Sequence, residues 1–154
     1  MKKSKNIFIV IVCLIAIMLQ PVSIFAEQNS EQIQREYLSD GSYYETTIVT
    51  NTTARSTIKN ASKTTTYKNS SGKSLWYARV TANFYYDGKT SSCTSASASG
   101  ESYVSTWKIL STSSSRTGNT ASATVLTGTY INGAYVGSIS EKVLLSCDKN
   151  GNLS

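Results

Sequence analysis

From Tyr43 onward the chain alternates apolar and polar residues with a period of two, the spacing that turns successive side chains to opposite faces of an extended strand. The clearest run is 75–86. Trp76, Ala78, Val80, Ala82, Phe84 and Tyr86 fall on one face and Tyr77, Arg79, Thr81, Asn83 and Tyr85 on the other, so the first set is the candidate core. Asp87-Gly88 follows at once, a dipeptide favoured in two-residue type I′ hairpins. That register sets Phe84 opposite Ser91 and Ala82 opposite Cys93. Asn132-Gly133 predicts a second hairpin between 120–131 and 134–147, with Tyr130 opposite Tyr135, Gly128 opposite Gly137 and Leu126 opposite Ile139. Stepping by twos from Ile139 puts Glu141, Val143, Leu145 and Cys147 in one row, and a carboxylate in that row predicts a β-bulge near Gly137 or Ser138. Shorter strands over 43–50, 62–67 and 103–110, with turns at 69–72, Ser99-Gly100 and Gly118-Asn119, bring the total to about seven. Nothing has the period of a long helix. The expected fold is all-β: an antiparallel β-sandwich over residues 43–154.

The N-terminal pattern is different. Lys2, Lys3 and Lys5 precede an uncharged apolar run of 13 residues, 7–19, followed by Gln20-Pro21 and Ile24-Phe25-Ala26. These are the parts of a secretory signal over residues 1–26, with cleavage expected before Glu27. The run is shorter than the roughly 20 residues a spanning helix needs, so the exported part is expected to keep no stable membrane span. Residues 27–42 are polar, hold four of the nine acids and end in the turn-rich Leu38-Ser39-Asp40-Gly41-Ser42; they read as a flexible polar leader with a helical turn around Gln32 to Tyr37.

Signal removal changes the cysteine arithmetic. Cys13 leaves with it, and Cys93 and Cys147 each sit on an inward face, one per hairpin. In an exported chain such a pair is expected to oxidise to one inter-strand disulfide, worth roughly 4 kcal/mol for a loop of about 55 residues in the chain-entropy model. Charge changes too: twelve basic and nine acidic residues leave +3 on the exported part. The basic residues are scattered and not interleaved with aromatics, so no nucleic-acid partner is expected. Ser and Thr make up about a third of residues 27–154, yet the single Pro lies in the signal and there are ten Tyr, a composition of a folded β domain and not of a mucin-like stalk.

The absence of His removes Ser-His-Asp and Cys-His chemistry and His-containing metal sites. Ser70 and Lys73 have the Ser-x-x-Lys spacing, but in a turn, whereas acylating enzymes carry it on a helix. Glu101 and Glu141 are the carboxylates on the strand-rich body that a glycoside hydrolase would need as a pair. Asp40, Asp87 and Asp148 fall in turns, where Asx-type hydrogen bonds account for them. The run 148–151 lacks the alternating ligands and closing Glu of a calcium loop. No enzyme, cofactor or metal is expected. The aromatics carry the positive signal: Tyr77 and Tyr85 lie on the face opposite the core, and Tyr43, Tyr44, Tyr103, Tyr130 and Tyr135 add further rings with polar tips. Such rings stack on sugars or anchor protein interfaces, or else serve cross-strand packing.

The combination Asp40-Gly41-Ser42-Tyr43-Tyr44, Ser74-Leu75-Trp76-Tyr77, Ser105-Thr106-Trp107-Lys108, 115–120 and Leu145-Ser146-Cys147-Asp148-Lys149-Asn150-Gly151 resembles an uncharacterised family of small exported proteins of clostridia and related Gram-positive gut bacteria. The resemblance spans nearly all of the exported chain, with both cysteines in matching places. It implies a bacterial, secreted protein and no particular activity. A looser similarity is to the lactococcin 972-like bacteriocins, small exported β-sandwich proteins rich in Tyr, Trp and Ser. The expected function is that of a secreted, extracellular, non-enzymatic binding module for a cell-wall glycan, mucin or extracellular protein. Tyr77, Tyr85, Tyr43 and Tyr44 are its candidate contacts. The alternatives are a bacteriocin-like or membrane-active effector and, third, a small hydrolase.

Overall fold

The computed structural model describes residues 31–50 and 57–154. The expected signal at 1–26 and the first residues of the leader lie outside the described residues. Eight strands follow one another: β1 (Glu31–Tyr37), β2 (Tyr43–Thr50), β3 (Ile58–Lys68), β4 (Ser74–Tyr86), β5 (Ser91–Ser102), β6 (Trp107–Thr117), β7 (Thr120–Ile131) and β8 (Ala134–Ser146). They form two antiparallel sheets, a larger one ordered β1-β2-β3-β4-β5 and a smaller one ordered β6-β7-β8. The all-β, two-sheet architecture is therefore as expected, with one strand more than the sequence reading supplied.

The additional strand corrects the leader. Gln32 to Tyr37 is not a helical turn but strand β1, in register with β2 from Glu31↔Val49 to Tyr37↔Tyr43. Ordered pairing thus begins before Tyr43. Its polar inner face, Gln32, Gln34 and Glu36, masks an alternation with Ile33, Arg35 and Tyr37 that has the strand period.

The first hairpin departs from the two-residue turn. Gly88 takes a positive φ of 83° but Asp87 does not, so the type I′ geometry is not made. Asp87 Oδ1 instead accepts from the amides of Lys89 and Thr90, at 2.9 and 2.7 Å, and Tyr86 pairs with Ser91 across a four-residue loop. Phe84 therefore opposes Cys93, and after a bulge at Thr94 Ala82 opposes Ala96. A slip of two keeps the face, so Cys93 still points inward. At the second hairpin Asn132 and Gly133 both have positive φ, and Tyr130 pairs with Tyr135 as expected. The bulge falls at Val136, shifting the rest by one: Gly128 pairs with Ser138 and Leu126 with Ser140.

The core lies between the sheets and is built from small residues around a few large ones. Trp76, Phe84, Val80, Val125 and Leu145 are fully buried among Ala61, Ala78, Ala82, Ala121 and Ala123. Ser99-Gly100 is not a turn but lies within β5. Gly100 turns inward, where a Cβ would sit 2.8 Å from Val125 Cγ1, so glycine is what allows the sheets to approach there. The chain crosses between sheets at 103–106, a corner held by Ser102 Oγ, which lies 2.8 Å from the carbonyl oxygens of both Val104 and Trp107.

Cys93 and Cys147 are free, buried thiols, and the expected disulfide is not formed. Their backbones nevertheless flank one turn: the Cys93 amide donates to the Gly118 carbonyl at 2.8 Å and the Cys147 amide to the neighbouring Asn119 carbonyl at 3.1 Å.

The smaller sheet covers only part of the larger one. β7 packs on β4 and β5, and β8 packs on β3 and β4, while β1 and β2 extend past the edge of β8. Their inner face forms a shelf bordered by that edge.

Candidate functional site

Strand order and direction bring the ends of β1, β3, β5 and β7 and the starts of β2, β4, β6 and β8 to one end of the sandwich. Eight of the ten tyrosines and both tryptophans lie there: Tyr37, Tyr43, Tyr44, Tyr67, Tyr77, Tyr103, Tyr130, Tyr135, Trp76 and Trp107. Residues far apart in sequence thus form one aromatic pole.

The pole has a buried layer and an exposed layer. Inside, Tyr67 sits between Tyr44 (5.1 Å between centroids), Trp76 (5.8 Å) and Trp107 (5.7 Å), and the two tryptophans are 6.0 Å apart. These are the tilted and edge-on geometries favoured by aromatic quadrupoles. Trp76 is fully buried, and its indole Nε1 has no hydrogen-bond partner among the described residues. Burial pushes the Tyr44 hydroxyl up to about 12, with the nearby Glu141 carboxylate adding to it. Tyr67 donates its hydroxyl to Ser42 Oγ at 3.1 Å, and Ser42 is in turn bound by Asp40.

Outside, rings pair with cations. Tyr43 packs on Tyr37 at 5.1 Å beneath the Arg35 guanidinium, Tyr77 on Tyr103 at 5.9 Å beneath Arg79, and Tyr130 on Tyr135 at 5.7 Å beneath Lys108. Tyr37, Tyr103 and Tyr135 are each more than half exposed, and so are Ile131 and Val136 at the tip of the β7–β8 hairpin.

The candidate contacts divide accordingly. Tyr43 and Tyr77 belong to the outer layer of the pole, Tyr44 to its interior. Tyr85 does not join them: it is eight residues from Tyr77 on β4, about 26 Å away at about 3.3 Å per residue. The two carboxylates do not pair either. Glu101, opposite Tyr77, lies on the outer face of the larger sheet, whereas Glu141, opposite Val125, lies on the inner face of the smaller one. The bulge does not carry Glu141 to solvent. It is half-buried, and burial, with the Glu36 charge, raises its pKa. Asp40, Asp87 and Asp148 accept hydrogen bonds within their own turns, Asp148 from the amides of Asn150 and Asn152 at 2.8 Å each.

A second feature was not legible before β1 was known. The shelf and the C-terminal segment enclose a groove of about 370 Å³ lined by Gln32, Gln34, Thr46, Ile48, Lys63 and Leu153. A cavity of about 150 Å³ beside it shares Gln32, Ile48 and Leu153 and adds Lys59. Lys63 is half-buried, has no ion pair or hydrogen bond among the described residues, and burial lowers its pKa.

No family model, curated protein or solved structure matches the chain.

Proposed function

We propose that the chain is an exported, non-enzymatic binding module whose ligand-contacting surface is the aromatic pole. The carrying observation is the convergence of eight tyrosines and two tryptophans on one end of the sandwich, with Tyr37, Tyr103 and Tyr135 exposed there. Packing accounts for the inner rings and for one face of each outer ring, and it leaves Tyr37, Tyr103 and Tyr135 each more than half exposed at the same pole. Rigid rings with polar tips suit stacking on the apolar faces of sugars, so the ligand class is a glycan of cell wall or mucin, and then an extracellular protein. Lys108, Arg79 and Arg35 border the rings and supply donors for hydroxyl or carboxylate groups. The sequence resemblance to small exported proteins of Gram-positive gut bacteria fits this reading.

Binding of the purified protein to peptidoglycan, mucin and plant glycans is the test. The double variant Tyr103→Ala/Tyr135→Ala is expected to lose binding with folding intact, and Tyr85→Ala, at the other pole, to keep it. Binding insensitive to the double variant overturns the assignment.

A membrane-active role is the second reading, favoured by the exposed Ile131 and Val136 beside Tyr135. Co-sedimentation with anionic vesicles, abolished by Ile131→Ser/Val136→Ser, would move the assignment to it.

Export also bears on the thiols. We propose that secretion oxidises Cys93 and Cys147 to a disulfide, a reading supported by their shared attachment to the Gly118-Asn119 turn. Secreted protein is expected to begin at Glu27 and to weigh about 2 Da less than its reduced form.

A further inference from the structure

Sheet edges carry unpaired amide and carbonyl groups, and strand addition to such an edge is a recurrent mode of peptide capture. In the smaller sheet β8 is an edge strand, and among the described residues only Leu153 and Ser154 pair with its free side. The Ser146 amide donates to the Ser154 carbonyl at 2.9 Å and the Ser154 amide to the Ser146 carbonyl at 3.1 Å. Two residues of antiparallel pairing therefore already occupy the place of a fourth strand. Because outward-pointing backbone groups recur every second residue, those of Leu144, Lys142 and Ser140 continue the same row. Beside them lies the shelf of β1 and β2, and a strand added to β8 would run about 4.8 Å from it on that side.

The side chains facing that place are charged in order. Leu153, the inward residue of the existing pair, packs against the core opposite Cys147. Just past it the groove presents Lys63, an ammonium that among the described residues has no carboxylate partner and no acidic neighbour in the groove lining. Further along β8 comes the inward-facing Glu141, close enough to Glu36 of the shelf for their charges to interact. Between these ends Gln32, Gln34 and Thr46 offer amides and a hydroxyl.

We infer that the free edge of β8 takes an extended peptide as a fourth strand of the smaller sheet, with an acidic side chain turned onto Lys63 and a basic one, four residues away, turned towards Glu141 and Glu36. The site is separate from the aromatic pole, and its ligand is recognised by backbone pairing plus two opposed charges.

The test is an amide chemical-shift titration of the whole protein with the capped heptapeptide Thr-Glu-Thr-Val-Thr-Lys-Thr, whose second and sixth residues share one face when extended. Shifts are expected at the amides of Ser140, Lys142 and Leu144. Affinity should fall about tenfold when the peptide's Glu and Lys are replaced by Gln, and about tenfold in Lys63→Gln. A peptide N-methylated at alternate residues, which lacks the backbone donors, should not bind. Tyr103→Ala/Tyr135→Ala should bind the peptide normally, so loss of the pole's function and loss of this site are read separately. Absence of shifts along β8, or binding unchanged in Lys63→Gln, overturns the inference. Capture of an oligogalacturonate in place of the peptide, dependent on Lys63, overturns it in favour of an acidic-glycan site.

Discussion

Gly100 of β5 and Val125 of β7 meet across the sandwich so closely that a Cβ at position 100 would lie 2.8 Å from Val125 Cγ1 and 3.1 Å from the Tyr77 carbonyl oxygen. Gly100→Ala is therefore expected to destabilise the fold by about 1–3 kcal/mol, the usual cost of overpacking. In a Val125→Ala background part of that cost should vanish, because the methyl group it strikes is gone. Denaturant midpoints of the four proteins in this cycle check it, and strict additivity would mean the clash is not the cause.

Trp76 anchors the aromatic pole from within. Trp76→Ala should cost about 3–5 kcal/mol in urea unfolding. Trp76→Phe should cost clearly less than that. It leaves a smaller void and removes an indole N–H that has no acceptor among the described residues.

Glu141 makes stability depend on pH in a defined direction. Burial first, and the Glu36 charge second, raise its folded pKa above the ordinary carboxylate value, so the native state holds this proton more tightly than the unfolded chain. Its ionised form thus lowers stability at neutral pH, and the penalty disappears as the pH falls below the ordinary Glu range. Glu141→Gln should stabilise the fold at pH 7 by less than about 1 kcal/mol given the group's partial solvation, seen as a raised thermal midpoint, and the gain should shrink towards pH 4. A gain independent of pH would exclude the carboxylate as its origin.

Buried thiols react slowly. Burial pushes both Cys93 and Cys147 up in pKa, reducing the thiolate fraction as well as access. Reduced native protein should label with an aromatic disulfide reagent at least about tenfold more slowly than protein in denaturant. Equal rates would place the thiols at the surface.

The strands most visible in the sequence were those with an apolar face. β4 could be read from Trp76 to Tyr86, because burial of one face imposes alternation on residue type, whereas β7 was placed by the Asn132-Gly133 turn that follows it. β1 was missed because its inner face meets a groove, so Gln32, Gln34 and Glu36 satisfy it as well as apolar residues would. Register was less legible than face. Whether Asp87 enters the turn or caps it, and where Val136 bulges, depend on side-chain hydrogen bonds and twist that no dipeptide signal specifies.

Period-two patterning, together with the turn signals at 87–88 and 132–133, determined that the body from Tyr43 onward is built of strands, that Trp76, Val80 and Phe84 are interior, and that both cysteines point inward. A face is a local property, fixed by the pleat. The tertiary structure alone decided which strand ends meet. Antiparallel connection through eight strands gathered Tyr37, Tyr103 and Tyr135 at one pole and left Tyr85 at the other. The unequal widths of the two sheets opened the shelf beside which Lys63 lies. Both are consequences of long-range pairing, which sequence separation conceals.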